Sequence, residues 1–447
     1  FHTPDNRVKM VDDFRPKLGE GYTCYLAPFD SRKVWLNFQT RALAPGTYRG
    51  RIGLESVGMT ISVQPMSWQL TVSPVRLPDK SEYAFCTWSG VAIENADLRQ
   101  KVLDDVLSHK VSVFPQVAGP RLRLLQDKTM QEEWTQWDTY YTPLREQAVC
   151  ILLNPVRVEV ADGLTLTAAE KTAALREAYA RISRGLQERG FSDDQWGVYV
   201  KDEPGLTGYS SIQEAVEIAR EIKAAAPNVQ LYIDPAGMVS PESMQPFKDL
   251  IDIYCPQVDL LKHPNGKLLN YLHSLNKRLW FYEAPSPART FHPLGHYRMQ
   301  AWLAFDFGLT GSGYWCYNYN NHDNLWRLYT TYPSPTESYS VVYFDGNNII
   351  PSRRWEASRD GIEDYHLLMM LKRRVAEAEK GDREIRQQAA IVRAYMNAAV
   401  KRITANVKQV KEINREFVPY DIDYSDLQDV REHLIGYMEK LLQYGEK

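Results

Sequence analysis

Residues 197–205 read GVYVKDEPG and set two carboxylates, Asp202 and Glu203, between an apolar run and a proline. Like charges in adjacent positions repel, and in a regular strand their side chains point to opposite faces. Two readings follow. The pair is a solvated strand end with Glu203 capping the next turn, or the backbone bends there and both groups serve one site. In the second case one carboxylate raises the pKa of the other. A protonated acid then stands beside an anion, the division of labour that glycosidic cleavage uses. Acids, amides and aromatics also end other apolar runs: Trp88, Gln116, Asn154, Asp234, Gln257 with Asp259, Tyr282 with Glu283, and Tyr317 with Asn318.

These groups must be carried by a scaffold that brings strand ends together. From residue 83 onward, eight short apolar runs alternate with amphipathic stretches. The runs cover 83–89, 111–116, 148–154, 196–204, 229–235, 251–259, 278–285 and 311–319. Their interiors are nearly continuous in apolar residues, as parallel strands buried on both faces require. Helices are predicted over 167–190, opened by Thr167 and Glu170 at capping-box spacing and closed by Gly190, and over 211–226. The eighth helix is predicted over 356–375, after a hairpin that turns at Asp345-Gly346. Eight β then α units predict an α/β chain folded as a (β/α)8 barrel, whose active site lies at the C-terminal ends of its strands. The third strand and the segment 117–147 fit least well. Residues 1–79 alternate in short strands with Pro/Gly punctuation, which predicts a small β-sandwich. The barrel then spans 80–378, and 379–447 forms a charged helical extension.

Composition narrows the chemistry. The chain has 447 residues, 44% hydrophobic and 24% charged, with net charge −3, so it lacks the basic footprint of a nucleic-acid binder. The 27 Tyr and 11 Trp outnumber the 14 Phe, and such flat amphipathic rings suit carbohydrate as well as any large core. Trp134, Trp137 and Tyr141 fall at helical spacing, which reads first as core and second as a sugar-stacking surface. Cys24, Cys86, Cys150, Cys255 and Cys316 are scattered without a CxxC pair, and His263, His292, His296 and His322 have no metal-ligand spacing. No metal and no cofactor is expected, and no run is long and apolar enough to span a membrane. The chain begins at Phe1, so a processed protein or fragment is expected, with any signal peptide out of view. Oligomeric state is open.

The Asp-Glu-Pro after an apolar strand resembles glycoside hydrolase family 123 and its relatives of unassigned activity. LWFYEAPSPARTFHPLGHYRMQAW (279–302), GLTGSGYWCYN (308–318) and RRWEASRDGIEDYHLL (353–368) are similar to that family as well. VWLNFQTRALAPGTYRGRI (34–52) resembles the β-domain that precedes the family's barrel. The resemblance implies a retaining, substrate-assisted hydrolase of terminal β-linked N-acetylhexosamine, N-acetylgalactosamine in characterised members. It implies a secreted or periplasmic location. It assigns Glu203 as general acid/base and Asp202 as the residue that holds the acetamido nitrogen while the acetamido oxygen attacks. An aromatic floor and a tyrosine hydroxyl complete such a site, and Tyr282, Tyr314 and Tyr317 are equal candidates. Trp88, Asn154, Asp234, Gln257 and Asn318 are expected to bind sugar.

Glu283 leaves an alternative open. An acid/base at strand four and a nucleophile at strand seven, about 5 Å apart, make an ordinary double-displacement glycosidase. Glu283 is expected first to bind a sugar hydroxyl, second to act as that nucleophile, and third to pair with Arg289. A silent carbohydrate-binding relative is the reading from a different class. Retention of both Asp202 and Glu203 favours catalysis over it.

Overall fold

The computed structural model describes residues 17–18, 21–22, 36–53, 64–88, 91–262, 265–284, 291–318, 339–409 and 425–443. By contact density the chain divides into two units, one holding 1–25, 80–365 and 400–424, the other 26–79, 366–399 and 425–447.

The first unit is a parallel barrel built from the eight apolar runs. Its strands are β1 (Ala84–Thr87), β2 (Val113–Val117), β3 (Cys150–Leu153), β4 (Trp196–Tyr199), β5 (Gln230–Ile233), β6 (Ile253–Tyr254), β7 (Arg278–Leu279 and Phe281–Glu283) and β8 (Gly311–Tyr314). Neighbours pair in parallel in chain order from β1 to β6. The first half of β7 pairs with β6 and its second half with β8, and β8 pairs with β1, so the ring closes.

Alternation along the strands sorts side chains into two layers. Ala84, Cys86 and Trp88 of the β1 run, Val113, Cys150, Leu152, Tyr199, Tyr232, Ile253, Cys255, Trp280, Tyr282 and Cys316 form one buried cluster, the barrel's filling. The intervening residues face helices: Phe85 lies edge-on to Tyr314 at 5.8 Å and stacks near Trp355 at 6.1 Å between ring centroids. Both faces of each strand are buried, which is why the runs read as continuous rather than alternating.

The helices follow their sequence signals. One helix, Ala168–Glu188, starts at Thr167, whose hydroxyl and the Glu170 side chain form the reciprocal cap. It buries Ala178, Tyr179, Ile182, Gly185 and Leu186 along one stripe, and Gly190 ends it at φ 84°. Another, Tyr209–Ala225, follows β4. The eighth, Arg353–Ala378, follows a hairpin of Val342–Asp345 and Asn348–Pro351. The segment that fitted the barrel pattern least well is an excursion after β2. Arg121–Leu124 pairs antiparallel with Met130–Glu133 and parallel with Val158–Val160, and a short helix, Thr135–Tyr140, leads back toward β3. Trp137 and Tyr141 are buried there, the core role that their spacing suggested first.

In the second unit, Gly46–Ile52 and Met66–Val72 form an antiparallel ladder, the only one among the described residues of 26–79. The helix Ser425–Gln443 belongs to the same unit, and Ser73 donates to Glu439 at 2.6 Å. We propose that the ladder is part of the small β-domain expected over residues 1–79.

The seam between β8 and β1 is tight. A Cβ at Gly313 would lie 2.5 Å from the Cys86 carbonyl oxygen and 2.7 Å from the Cys86 Cβ. Gly313→Ala is therefore expected to destabilise the barrel by about 1–3 kcal/mol, the usual penalty of overpacking. Urea unfolding should show a lower midpoint at unchanged slope.

Candidate active site

β4 ends at Tyr199, and the chain bends through Lys201, Asp202 and Glu203. Glu203 has φ 43°, in the left-handed region that a non-glycine residue occupies at a cost of about 1–3 kcal/mol. This reversal breaks strand alternation, so two consecutive carboxylates serve one rim. The following loop is held close to the loop after β5: the Ala236 N–H donates to the Pro204 carbonyl at 3.3 Å, and Met238 N–H to the Gly205 carbonyl at 3.0 Å. Gly205 makes this possible, because at φ 103° a Cβ would lie 2.5 Å from the Ala236 carbonyl oxygen.

Each carboxylate has distinct partners. Glu203 is half-buried and accepts a 2.5 Å bond from the hydroxyl of Tyr282, which points inward from β7. Burial pushes its carboxyl above the ordinary glutamate value; the Tyr282 bond opposes this and the Asp202 charge adds to it. Asp202 is exposed, and its Oδ1 accepts from Tyr199 at 2.7 Å and from Gln116 Nε2 at 3.2 Å. Gln116 reaches it because the β2 ladder slips register between Phe114 and Val117, with Gln116 at φ 55°. Asp234, 1% exposed at the end of β5, touches both neighbours. It accepts the Glu203 backbone N–H at 3.3 Å and is bonded to the Tyr199 hydroxyl. Burial drives its carboxyl far above the ordinary aspartate value; the Tyr199 bond opposes this, while Asp202 and Glu203 add to it. An acid held up, beside an exposed acceptor, is equipped to protonate a leaving oxygen while the acceptor takes a hydrogen bond from the same substrate.

The expected site residues all lie at or just beyond strand ends, but their side chains part. Trp88 is buried in the barrel filling, 5.6 Å from the Tyr282 ring. Asn154 is exposed on the rim and donates to the Gln116 carbonyl at 3.2 Å. Gln257 precedes the helix Val258–Leu261 and bridges to Tyr282 through the backbone. Three candidates turn away from the barrel interior. Tyr314 bonds Ser358 at 3.0 Å, Tyr317 donates to Asp105 at 2.7 Å, and Asn318 donates to the Val342 carbonyl at 2.9 Å. Tyr314 and Tyr317 occupy outward positions that face helices, so of the three tyrosines only Tyr282 meets the pair.

Glu283 also faces away from the pair. It follows inward-facing Tyr282 and lies opposite in the alternation. Its carboxylate, 3% exposed, meets His296 Nε2 at 2.8 Å and Lys262 Nζ at 3.6 Å, and accepts from Gln300 at 3.4 Å. Against the opposing effect of burial, His296 and Lys262 hold it down to about 2. His296 is brought there by a π-helical turn, Pro293–Arg298. Among the described residues its partners are thus His296, Lys262 and Gln300. Arg289, His263, His322 and Asp323 lie outside the described residues.

Sequence reading missed Tyr199, which looked like strand interior, and passed over Gln116 as a mere strand end. It also missed Trp315, partly buried against the barrel filling beyond β8, with its ring 4.7 Å from that of Tyr339 and a cis peptide to Cys316. Among the described residues no group of three His, Cys, Asp or Glu side chains could hold a metal ion. None of the described helices is long and apolar enough to cross a membrane.

The structure is similar to that of a family 123 glycoside hydrolase from Clostridium perfringens, described in connection with glycolipid glycan hydrolysis. The match covers 91% of this chain and 78% of that one, with a TM-score of 0.59 and 11% identity. The chain has the fold of a family 123 glycoside hydrolase. Weaker likenesses include an endo-1,4-beta-mannanase from Rhizomucor miehei, at TM-score 0.38 and 12% identity over 66% of this chain and 96% of that one. An endo-beta-1,4-mannanase from Thermotoga petrophila gives 0.39 and 13% over 64% and 77%. No family model and no curated protein matches the chain by sequence.

The Tyr282 hydroxyl bond stabilises the ionised form of Glu203, so its removal raises the carboxyl's pKa further. Tyr282→Phe should therefore shift the Glu203 titration to higher pH, read by NMR of the side-chain carboxyl carbon. A downward shift would contradict the arrangement.

Proposed function

We propose that this protein is a retaining glycoside hydrolase that removes terminal β-linked N-acetylhexosamine, of the N-acetylgalactosamine type, by substrate assistance. Its substrate is a carbohydrate, and the barrel over 80–378 is the catalytic domain. The observation that carries this reading is the asymmetry of the adjacent pair. Glu203 is half-buried and held toward its protonated form, and Asp202 is exposed with donors already on one oxygen.

In this reading Glu203 gives its proton to the leaving glycosidic oxygen. Asp202 accepts the acetamido N–H with its remaining oxygen, turning the acetamido oxygen toward the anomeric carbon. The anomeric C–O bond to the aglycone breaks as the bond from the acetamido oxygen forms, and the ring so made carries positive charge that the Asp202 anion offsets. Glu203, now ionised, takes a proton from water, which opens the intermediate with overall retention. Tyr282 keeps the Glu203 carboxyl aimed across the barrel mouth. The double-displacement alternative loses support from the Glu283 contacts, because a nucleophile must be open to the anomeric carbon and this carboxylate is enclosed by His296, Lys262 and Gln300.

Screening aryl β-glycosides with and without a 2-acetamido group tests the class. Only the 2-acetamido sugars should be cleaved, and a thiazoline analogue should inhibit strongly, since mimics of a high-energy intermediate bind more tightly than substrate. Glu203→Gln should lower turnover by about 10² to 10⁴ for poor leaving groups and less for good ones. Asp202→Asn should cost more turnover than Glu283→Gln, whose main effect should be a lower unfolding midpoint. A covalent 2-fluoro sugar adduct on Glu283 would reverse the assignment.

A further inference from the structure

Tyr199 has one hydroxyl proton and two carboxyl neighbours. Its oxygen lies 2.7 Å from Asp202 Oδ1 and in contact with Asp234 Oδ2. One O–H donates once. With both acids ionised, one contact would press a hydroxyl lone pair against a carboxylate oxygen. A second proton must therefore sit on one of the two acids.

The other contacts say which. Asp202 Oδ1 also accepts from Gln116 Nε2 at 3.2 Å, so it already serves as an acceptor toward a donor other than Tyr199, and the side chain is exposed to water. Asp234 Oδ1 accepts the Glu203 N–H at 3.3 Å, which leaves Oδ2 turned to Tyr199. The titratable groups that face Asp234 are Cys86 from β1, Tyr199 from β4, Asp202 and Glu203 from the loop beyond it, Tyr232 from its own strand, Cys255 from the β6 run and Tyr282 from β7. Each is an acid or a thiol, so ionising Asp234 would add negative charge to a buried point already beside two carboxylates.

We propose that Asp234 is a positioning residue that stays protonated and donates to the Tyr199 oxygen, so that Tyr199 in turn donates to Asp202 and holds it as an oriented anion beside Glu203. With the second proton placed on Asp234 by those contacts, the direction of the chain follows: Asp234 Oδ2–H to Tyr199 Oη, Tyr199 O–H to Asp202 Oδ1. Burial supports it by favouring the neutral form of Asp234. Two results of the arrangement bear on chemistry. Asp202 keeps one oxygen free for a substrate N–H while the other is fixed. The neutral Asp234 also receives the Glu203 backbone N–H without adding a third charge that would hold the acid's proton too tightly.

The test has two arms, and only the kinetic arm rests on the hexosaminidase reading. In the first, infrared difference spectra at neutral pH compare Glu203→Gln with the double variant Glu203→Gln/Asp234→Asn. A neutral-carboxyl C=O band in the single variant that disappears in the double variant is expected. Its absence from the single variant overturns the proposal. In the second, Tyr199→Phe and Asp234→Ala are assayed on p-nitrophenyl β-N-acetylgalactosaminide. Each should lower kcat by about 10 to 10²-fold, the worth of one hydrogen bond to a charged group. Asp234→Asn, which can still donate to Tyr199 and accept from Glu203, should recover most of the loss caused by Asp234→Ala. An Asn variant as impaired as the Ala variant overturns the proposal, because it would mean that a carboxylate charge is required there. If the wild-type protein cleaves no 2-acetamido sugar, the functional reading fails while the infrared arm still decides the proton on Asp234.

Discussion

Three carboxyl groups, Asp202, Glu203 and Asp234, meet at the ends of two neighbouring strands, and one tyrosine hydroxyl stands between two of them. Two unit charges 4 Å apart repel by about 4 kcal/mol at the effective dielectric of a protein surface. Three such charges together would consume a large part of the 5–15 kcal/mol or so that holds a domain folded. Keeping the three from ionising together relieves that cost. Burial favours the neutral forms of Asp234 and Glu203 and leaves Asp202 facing water. Depth in the barrel mouth thus separates the surroundings of the adjacent pair.

Depth is set in turn by the barrel's two-layer alternation and by two places where it breaks. Tyr199, Tyr232 and Tyr282 point inward because of their parity along β4, β5 and β7, and they line the floor beneath the carboxylates. Gln116 and Glu203 escape that parity through positive φ at the tips of β2 and β4. Strained backbone at these two tips, and the close passage of the loop at Gly205, are where local preference yields to the site.

The same parity turns Glu283 away from the pair. Its carboxylate lies in the outer layer and ends a polar chain that runs from Tyr83 to Ser312 at 2.6 Å, from Ser312 to Gln300 at 3.3 Å, and on to Glu283. Removing one member of a buried pair leaves its partner uncompensated, which is costly. This network ties β1, β7 and β8 to the helix Met299–Phe307. It gives the acid a structural purpose that needs no substrate.

The sequence by itself determined the eight strands, their order and the end of the barrel that carries the polar groups. Those features depend on local runs, since a strand buried on both faces is apolar throughout and its end is marked by polar residues and Pro or Gly. The helix from Ala168 was legible to its cap because capping chemistry is confined to a few adjacent residues. Adjacency alone also singled out Asp202 and Glu203. What only the tertiary structure decided is the direction of each side chain at the rim. Tyr282, Glu283, Tyr314 and Tyr317 are equivalent as letters at strand ends, and Tyr282 separates from the other three only when strand phase and the facing helices are known. Tyr199 stayed hidden for the same reason: an inward tyrosine in an apolar run looks like filling until Asp202 and Asp234, 35 positions apart from it at most, are folded onto its hydroxyl.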